Sequence, residues 1–366
     1  FSWVLETNRA MVALAELASR HALGIEPRER GLGIAGSLGL GRFGGCGFLG
    51  SAIVRALIAR GKHVRVLALP NEPTDNLRGL DVELLRGDIL SREACERAVA
   101  GRDTVFHAAA IYKAWAPDPT DMYRVNMSGT FNMLEAARRA GVARVVYTAS
   151  IVALGRPPLG RLADEDTAYE AWDLDFAYSR AKFHSRELAE DFSRWDLDLR
   201  VVCPGVVLGP GDISPTPSGK LIINTLSGSP PVYMDGGASY VDVRDAAEVH
   251  VRAAESGRAG RRYVTTAHNL SALELMQSID DAAGRSRRYF KIPVGVARGL
   301  VKAMEAQARR ANTEPLLSRN FFEYSTRPCF FSGKRSEQEL GAVYRPLRET
   351  LRDAIAYFRE RGLLRG

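Results

Sequence analysis

The stretch FGGCGFLG, residues 43–50, runs directly into SAIVRALIARG, residues 51–61. Its glycines fall at Gly44, Gly47 and Gly50, and the apolar positions that follow keep helical spacing. At a turn from strand to helix, Gly44 can take the tight bend and Gly47 lets the backbone approach a pyrophosphate. Gly50 lets the helix lie close to the sheet, and the helix N-terminus faces the anion. The glycine spacing is a weak signal by itself, so its surroundings must decide. Upstream, GSLGLGRFGG (residues 36–45) reads as a degraded strand, because glycine weakens a strand and Arg42 is costly inside a sheet. Residues 1–34 then stand as an N-terminal extension of unclear status, a fusion remnant or the product of a reading-frame error before about residue 43.

Downstream, strand-like and helix-like segments alternate as in crossover units on a parallel sheet. HVRVLAL (63–69), VELLRGD (82–88), DTVFHAAA (103–110), ARVVYTAS (143–150) and LRVVCPG (199–205) read as strands. SREACERAVAG (91–101), MYRVNMSGTFNMLEAARRAG (122–141) and AYSRAKFHSRELAEDFSRW (177–195) read as helices between them. The expected fold is α/β, a doubly wound parallel sheet of Rossmann type over residues 35–205. A smaller C-terminal substrate lobe follows over 206–366, with short segments near 238–265 returning to the core. Loops rich in Gly, Pro and Ser after residue 205 suit a substrate cleft, and helices are expected near 271–284, 294–311 and 346–361.

Composition narrows the class. With 46% hydrophobic and 25% charged residues the chain is globular rather than disordered. The four cysteines, Cys46, Cys95, Cys203 and Cys329, are scattered without metal-like spacing and read as reduced thiols, which points to the cytoplasm. No apolar run is long enough to span a bilayer, and residues 11–25 lack the pattern of a signal peptide. From Arg285 onward 18 Lys and Arg face 8 Asp and Glu, so the basicity is local. Those charges alternate with apolar residues as on a solvated helix face, and no nucleic-acid partner or firm membrane attachment is expected.

Tyr178 and Lys182 in YSRAK lie four apart, on one face of one helix. A phenol titrates near pH 10, so it is a poor acid–base group at neutrality unless a cation stabilises its phenolate, and Lys182 is placed to do so. Ser150 ends the preceding strand, where its hydroxyl can hold a substrate oxygen. Asp88, at a strand end, can accept a hydrogen bond from an adenine amino group. The small residues of HAAA leave room for a flat ligand at the carboxyl edge of the sheet.

Taken together, the glycine turn, RGD, HAAA, VNMSGTFNMLEAA, YTAS, YSRAK and CPGVVLGPGD resemble the extended short-chain dehydrogenase/reductase superfamily. Within it the chain is similar to the dihydroflavonol 4-reductase-like group that includes hopanoid-associated sugar epimerase homologues. The resemblance spans about residues 38–364. It implies Tyr178 as the acid–base residue and Lys182 as the group that lowers its pKa and holds the nicotinamide ribose. Ser150 would orient the reacting carbonyl or carbinol, and Asn126 would support the active-site helix and its water. Cofactor contacts would come from Gly44, Gly47, Phe48, Leu49 and Gly50, with Asp88 and Ile89 at the adenine, Ala108, Ala109 and Ala110 at the adenosine, and Pro204 to Val207 at the nicotinamide. It further implies a homodimer through the helices carrying Asn126 and Tyr178.

The expected reaction is hydride transfer between a nicotinamide cofactor and a secondary alcohol or ketone of an apolar small molecule. Tyr112, Trp115, Tyr233 and Tyr240 are candidates for lining its pocket. The alternatives are a nucleotide-sugar epimerase with retained NAD, using Lys220 or Arg244 to hold a diphosphate, and a non-catalytic dinucleotide-binding sensor. LALPNEP (67–73) shows no carboxylate at the strand end for a ribose 2′-hydroxyl, and it has Leu69 where relatives often carry Arg. The missing carboxylate favours NADP(H) over NAD(H).

Overall fold

A computed structural model of the chain describes residues 31–35, 42–112, 118–157, 160–169, 176–311 and 319–364. Seven strands build the main sheet: β1 (Gly31–Ala35), β2 (Val64–Ala68), β3 (Val82–Arg86), β4 (Arg102–His107), β5 (Arg144–Thr148), β6 (Leu199–Pro204) and β7 (Arg262–Thr265). Every neighbouring pair is parallel, and the order across the sheet is 3-2-1-4-5-6-7. This is the doubly wound order, with the switch point beside β1.

The first strand corrects the sequence reading. GLGIA, Gly31–Ala35, is the central strand, paired with β2 on one side and β4 on the other. Four of its residues come from the segment 1–34 that read as an extension. GSLGLGRFGG contributes only Arg42–Phe43, which pairs antiparallel with Ala110–Ile111 outside the main sheet. Glycine-rich backbone carries no alternating side-chain pattern, so hydrogen bonds to two flanking strands select the segment that becomes β1.

Strands β2, β4, β5, β6 and β7 are largely buried on both faces, which is why they read as apolar runs, whereas β3 at the sheet edge is half-buried to exposed. Val105, Val145, Tyr147, Val201 and Cys203 face a core shared with helices Arg92–Val99, Thr130–Arg139 and Ala177–Arg194. Their chain neighbours Phe106, Val146 and Val202 face the opposite core, shared with helices Phe48–Ile58 and Val243–Ser256.

Past β6 the chain builds a three-stranded sheet from Val206–Leu208, Gly237–Asp242 and His268–Ser271. Helices Pro217–Leu226, Ala272–Ala282 and Leu347–Glu360 pack on one another beside it around Ile222, Leu275, Ile279, Leu351 and Phe358. Helix Val243–Ser256 and strand β7 return to the main sheet. Among the described residues no helix is long and apolar enough to cross a membrane.

Candidate active site

The glycine turn is closed by a hydrogen bond from Gly47 N–H to the Gly44 carbonyl, 2.8 Å, and Gly47 caps helix Phe48–Ile58 in an extended conformation. Gly50 lies flat against the turn: a Cβ there would sit 1.8 Å from the Gly44 oxygen. Only glycine allows this close packing of turn and helix start, the arrangement in which a helix N-terminus can receive a pyrophosphate. Phe48 and Leu49 pass from this helix start into a cavity of about 560 Å³ at the carboxyl edge of the sheet.

The cavity brings together Ser150, Tyr178 and Lys182 with Ala108, Ala110, Pro204 and Val207. Tyr178 and Lys182 project from the first turns of helix Ala177–Arg194. Lys182 is 3% exposed and donates to the Thr148 carbonyl, 2.8 Å, at the end of β5. Burial pushes its ammonium group down to about 8, so it is charged at neutral pH beside the phenol one turn away. The Tyr178 ring meets Tyr112 edge-on, with centroids 4.6 Å apart, and it packs against Phe176. Ser150 opens a short helical turn, its hydroxyl accepting from Val152 N–H at 3.3 Å.

A buried chain of contacts stands behind this group. The Thr148 hydroxyl lies 3.0 Å from His250 Nε2, and His250 Nδ1 lies 2.7 Å from the Ala246 carbonyl. A carbonyl can only accept, so His250 carries its proton on Nδ1 and takes the Thr148 hydrogen at Nε2. His107, equally buried, contacts the Thr130 hydroxyl at 2.9 Å. Burial lowers His250 to about 4 and His107 to about 3, the latter with a contribution from the Lys182 charge.

The unfolded chain binds protons at these two histidines from about pH 6.5 downward, while the folded chain keeps them neutral. Their stabilising effect is therefore complete above that pH and is lost as pH falls toward 4 and then 3. The melting temperature is expected to drop between pH 7 and pH 5, by the equivalent of about 2 kcal/mol for each histidine. A thermal-melt series that stayed flat over that interval would contradict this.

Several other expected residues are not among the described residues lining this cavity. Asn126 sits in a turn of π-helix, Arg124–Gly129, and bonds both ways to Ile111: its Oδ1 accepts from the amide at 2.7 Å and its Nδ2 donates to the carbonyl at 3.0 Å. It fixes the strand end next to Tyr112 and does not line the cavity. Ile89 is fully buried against Gly129, and Asp88 turns its carboxylate onto Leu90 N–H at 2.9 Å. Ala109 belongs to the core. Tyr112, Tyr233 and Tyr240 do line the cavity, while Trp115 lies outside the described residues.

Sequence reasoning missed Glu72. It is 5% exposed and folds back so that its Oε2 accepts from Leu69 N–H, 3.2 Å, at the end of β2. Burial pushes the Cys46 thiol of the glycine turn up, and the Glu72 charge adds to that shift. A carboxylate thus stands where LALPNEP read as having none. The signal was a glutamate four residues past the strand end at Ala68, within reach of a capping turn onto Leu69.

The family model described as NAD dependent epimerase/dehydratase matches residues 43–265. Over 326 residues the chain is 32% identical to sterol demethylase protein B of Methylococcus capsulatus, covering 88% of this chain and 98% of that protein. It is 30% identical over 316 residues to 2-alkyl-3-oxoalkanoate reductase of Stenotrophomonas maltophilia, covering 82% and 93%. The crystal structure of gox2253 superposes with a TM-score of 0.79 at 34% identity, covering 88% of this chain and 98% of that one. Fold, glycine turn and relatives define an oxidoreductase that binds a nicotinamide dinucleotide. The chain belongs to the NAD-dependent epimerase/dehydratase family, within the extended short-chain dehydrogenases/reductases.

Proposed function

We propose that the chain interconverts a ketone and a secondary alcohol on an apolar small molecule. The observation that carries this reading is one cavity in which Ser150, Tyr178 and Lys182 share space with a wall of Leu221, Val232, Met234, Leu275 and Met276. Its volume, about 560 Å³, suits a small-molecule ligand. Gly44, Gly47 and Gly50 would hold the pyrophosphate of the coenzyme, and Ala108, Pro204 and Val207 the inner half. When bound, the nicotinamide supplies or accepts the hydride. Ser150 hydrogen-bonds the substrate oxygen, Tyr178 gives it a proton in the reductive direction and removes one in the other, and the Lys182 charge favours the phenolate. The apolar wall excludes water from that exchange.

A nucleotide-sugar substrate is less well served. Arg244 is held by Asp242 and Asp353, each at 2.7 Å, and Lys220 is exposed; neither is among the described residues lining the cavity. Among the described residues lining the cavity, the cations are Lys182 and Arg327.

For the coenzyme, the absence of Arg at position 69 leaves a 2′-phosphate without that partner, and the Glu72 carboxylate repels it. This supports NAD(H) over the NADP(H) suggested by the sequence. The test is loss of nicotinamide absorbance when the purified protein meets NADH or NADPH with apolar ketones, run beside nucleotide sugars. Ketone-dependent oxidation of NADH is the expected result, and Glu72→Gln should improve use of NADPH about tenfold while keeping the Leu69 contact. Conversion of nucleotide sugars without net coenzyme change would overturn the reading.

A further inference from the structure

Residues 285–311 hold eight Lys and Arg against the single acid Glu305, a net +7 that equals the charge of the whole chain. The same segment carries three exposed large apolar side chains, Phe290 at 57%, Val296 at 57% and Leu300 at 54%. Helix Val294–Ala311 has two apolar sides. Ala297, Val301, Met304 and Ala308 face inward, the first three packing with Phe322 and Met234. Val296, Leu300 and Ala303 form a second stripe at three- and four-residue spacing that faces solvent. Some of the surrounding cations are used internally: Arg298 pairs with Glu323 and Lys291 with Asp235. Lys302, Arg310 and Arg288 are exposed and have no ion pair among the described residues.

This face lies on the outside of the cavity wall. Val232–Tyr233, which line the cavity, pair as a two-stranded ribbon with Phe290–Lys291, and Met234, also in the lining, packs under the helix. A surface that is apolar along one stripe and cationic along its border matches the interface of an anionic bilayer, whose headgroups meet the cations while the stripe enters the acyl boundary.

We propose that helix Val294–Ala311 with the Phe290 ribbon is a reversible docking surface for anionic lipid membranes, set beside the cavity. The docking is independent of the reaction proposed above, because its assay measures no turnover. The full chain is mixed with phosphatidylcholine vesicles with or without about 30% phosphatidylserine, at low and high salt, and sedimented. Expected is binding to the anionic vesicles that weakens with salt, and at least about tenfold weaker binding in Leu300→Glu and in Lys302→Glu. Both positions are exposed, so circular dichroism and the melting temperature should match the parent. Equal binding to neutral vesicles, no binding to anionic vesicles at low salt, or binding unchanged in both variants would overturn the proposal. A Leu300→Glu variant that shifts from dimer to monomer in sedimentation velocity, with no lipid binding by the parent, would also overturn it and assign the face to a second copy.

Discussion

Tyr178→Phe is expected to lower ketone turnover about a hundred- to ten-thousand-fold while leaving coenzyme affinity within a factor of about two. The ring is held edge-on against Tyr112 and beside Phe176, contacts that phenylalanine keeps, so the change removes a proton donor from an otherwise intact wall. The cation proposed to favour the phenolate is itself fixed: Lys182 is anchored on the Thr148 carbonyl, and Thr148 is bonded to a neutral, singly protonated His250. Single-turnover absorbance with saturating coenzyme separates the outcomes. If Tyr178→Phe retained more than about a tenth of parental turnover, proton transfer would have to be assigned to another group.

The second large effect is steric. In Gly50→Ala the new methyl carbon would lie 1.8 Å from the Gly44 oxygen, 2.5 Å from the Gly44 carbonyl carbon and 2.9 Å from Gly45 Cα. All three are backbone atoms, so no side chain can swing away; the turn or the helix start must move. A loss of about 3 kcal/mol in stability, or at least a tenfold loss of coenzyme affinity at unchanged stability, is expected. Gly299→Ala is the matched control: open space surrounds that position inside a helix, and the same methyl should add up to about 1 kcal/mol. Chemical denaturation and coenzyme titration of the two variants read the contrast. A Gly50→Ala protein equal to its parent in both would show that the turn accommodates a side chain.

Much of this fold is legible in the sequence because parallel strands covered on both faces must be apolar throughout, and β2, β4, β5 and β6 announce themselves that way. Tyr178 and Lys182 are legible because helical geometry alone puts residues four apart on one face. What escapes is whatever depends on partners distant in sequence. Gly31–Ala35 has too little side chain to signal a strand, and its identity rests on pairing with β2 and β4. Glu72 acquires its meaning from folding back onto Leu69, and Arg244 loses its expected role because Asp353, more than a hundred residues later, occupies it. Asn126, expected to support the active-site helix, bonds both ways to the backbone of Ile111, a pairing that the sequence does not announce.

The return of strand Arg262–Thr265 to the main sheet bears on how such an enzyme can be altered. The chain leaves the coenzyme half at Pro204, builds one wall of the cavity, and comes back to cover the open edge of β6 and the outer face of helix Phe48–Ile58. No cut after Pro204 separates two modules, since a fragment ending there would present β6 as an unprotected edge prone to pairing with other chains. Fragments ending at Pro204 should aggregate, whereas grafts confined to the segments between the returning elements, such as 209–235, can change what the cavity accepts without dismantling the sheet.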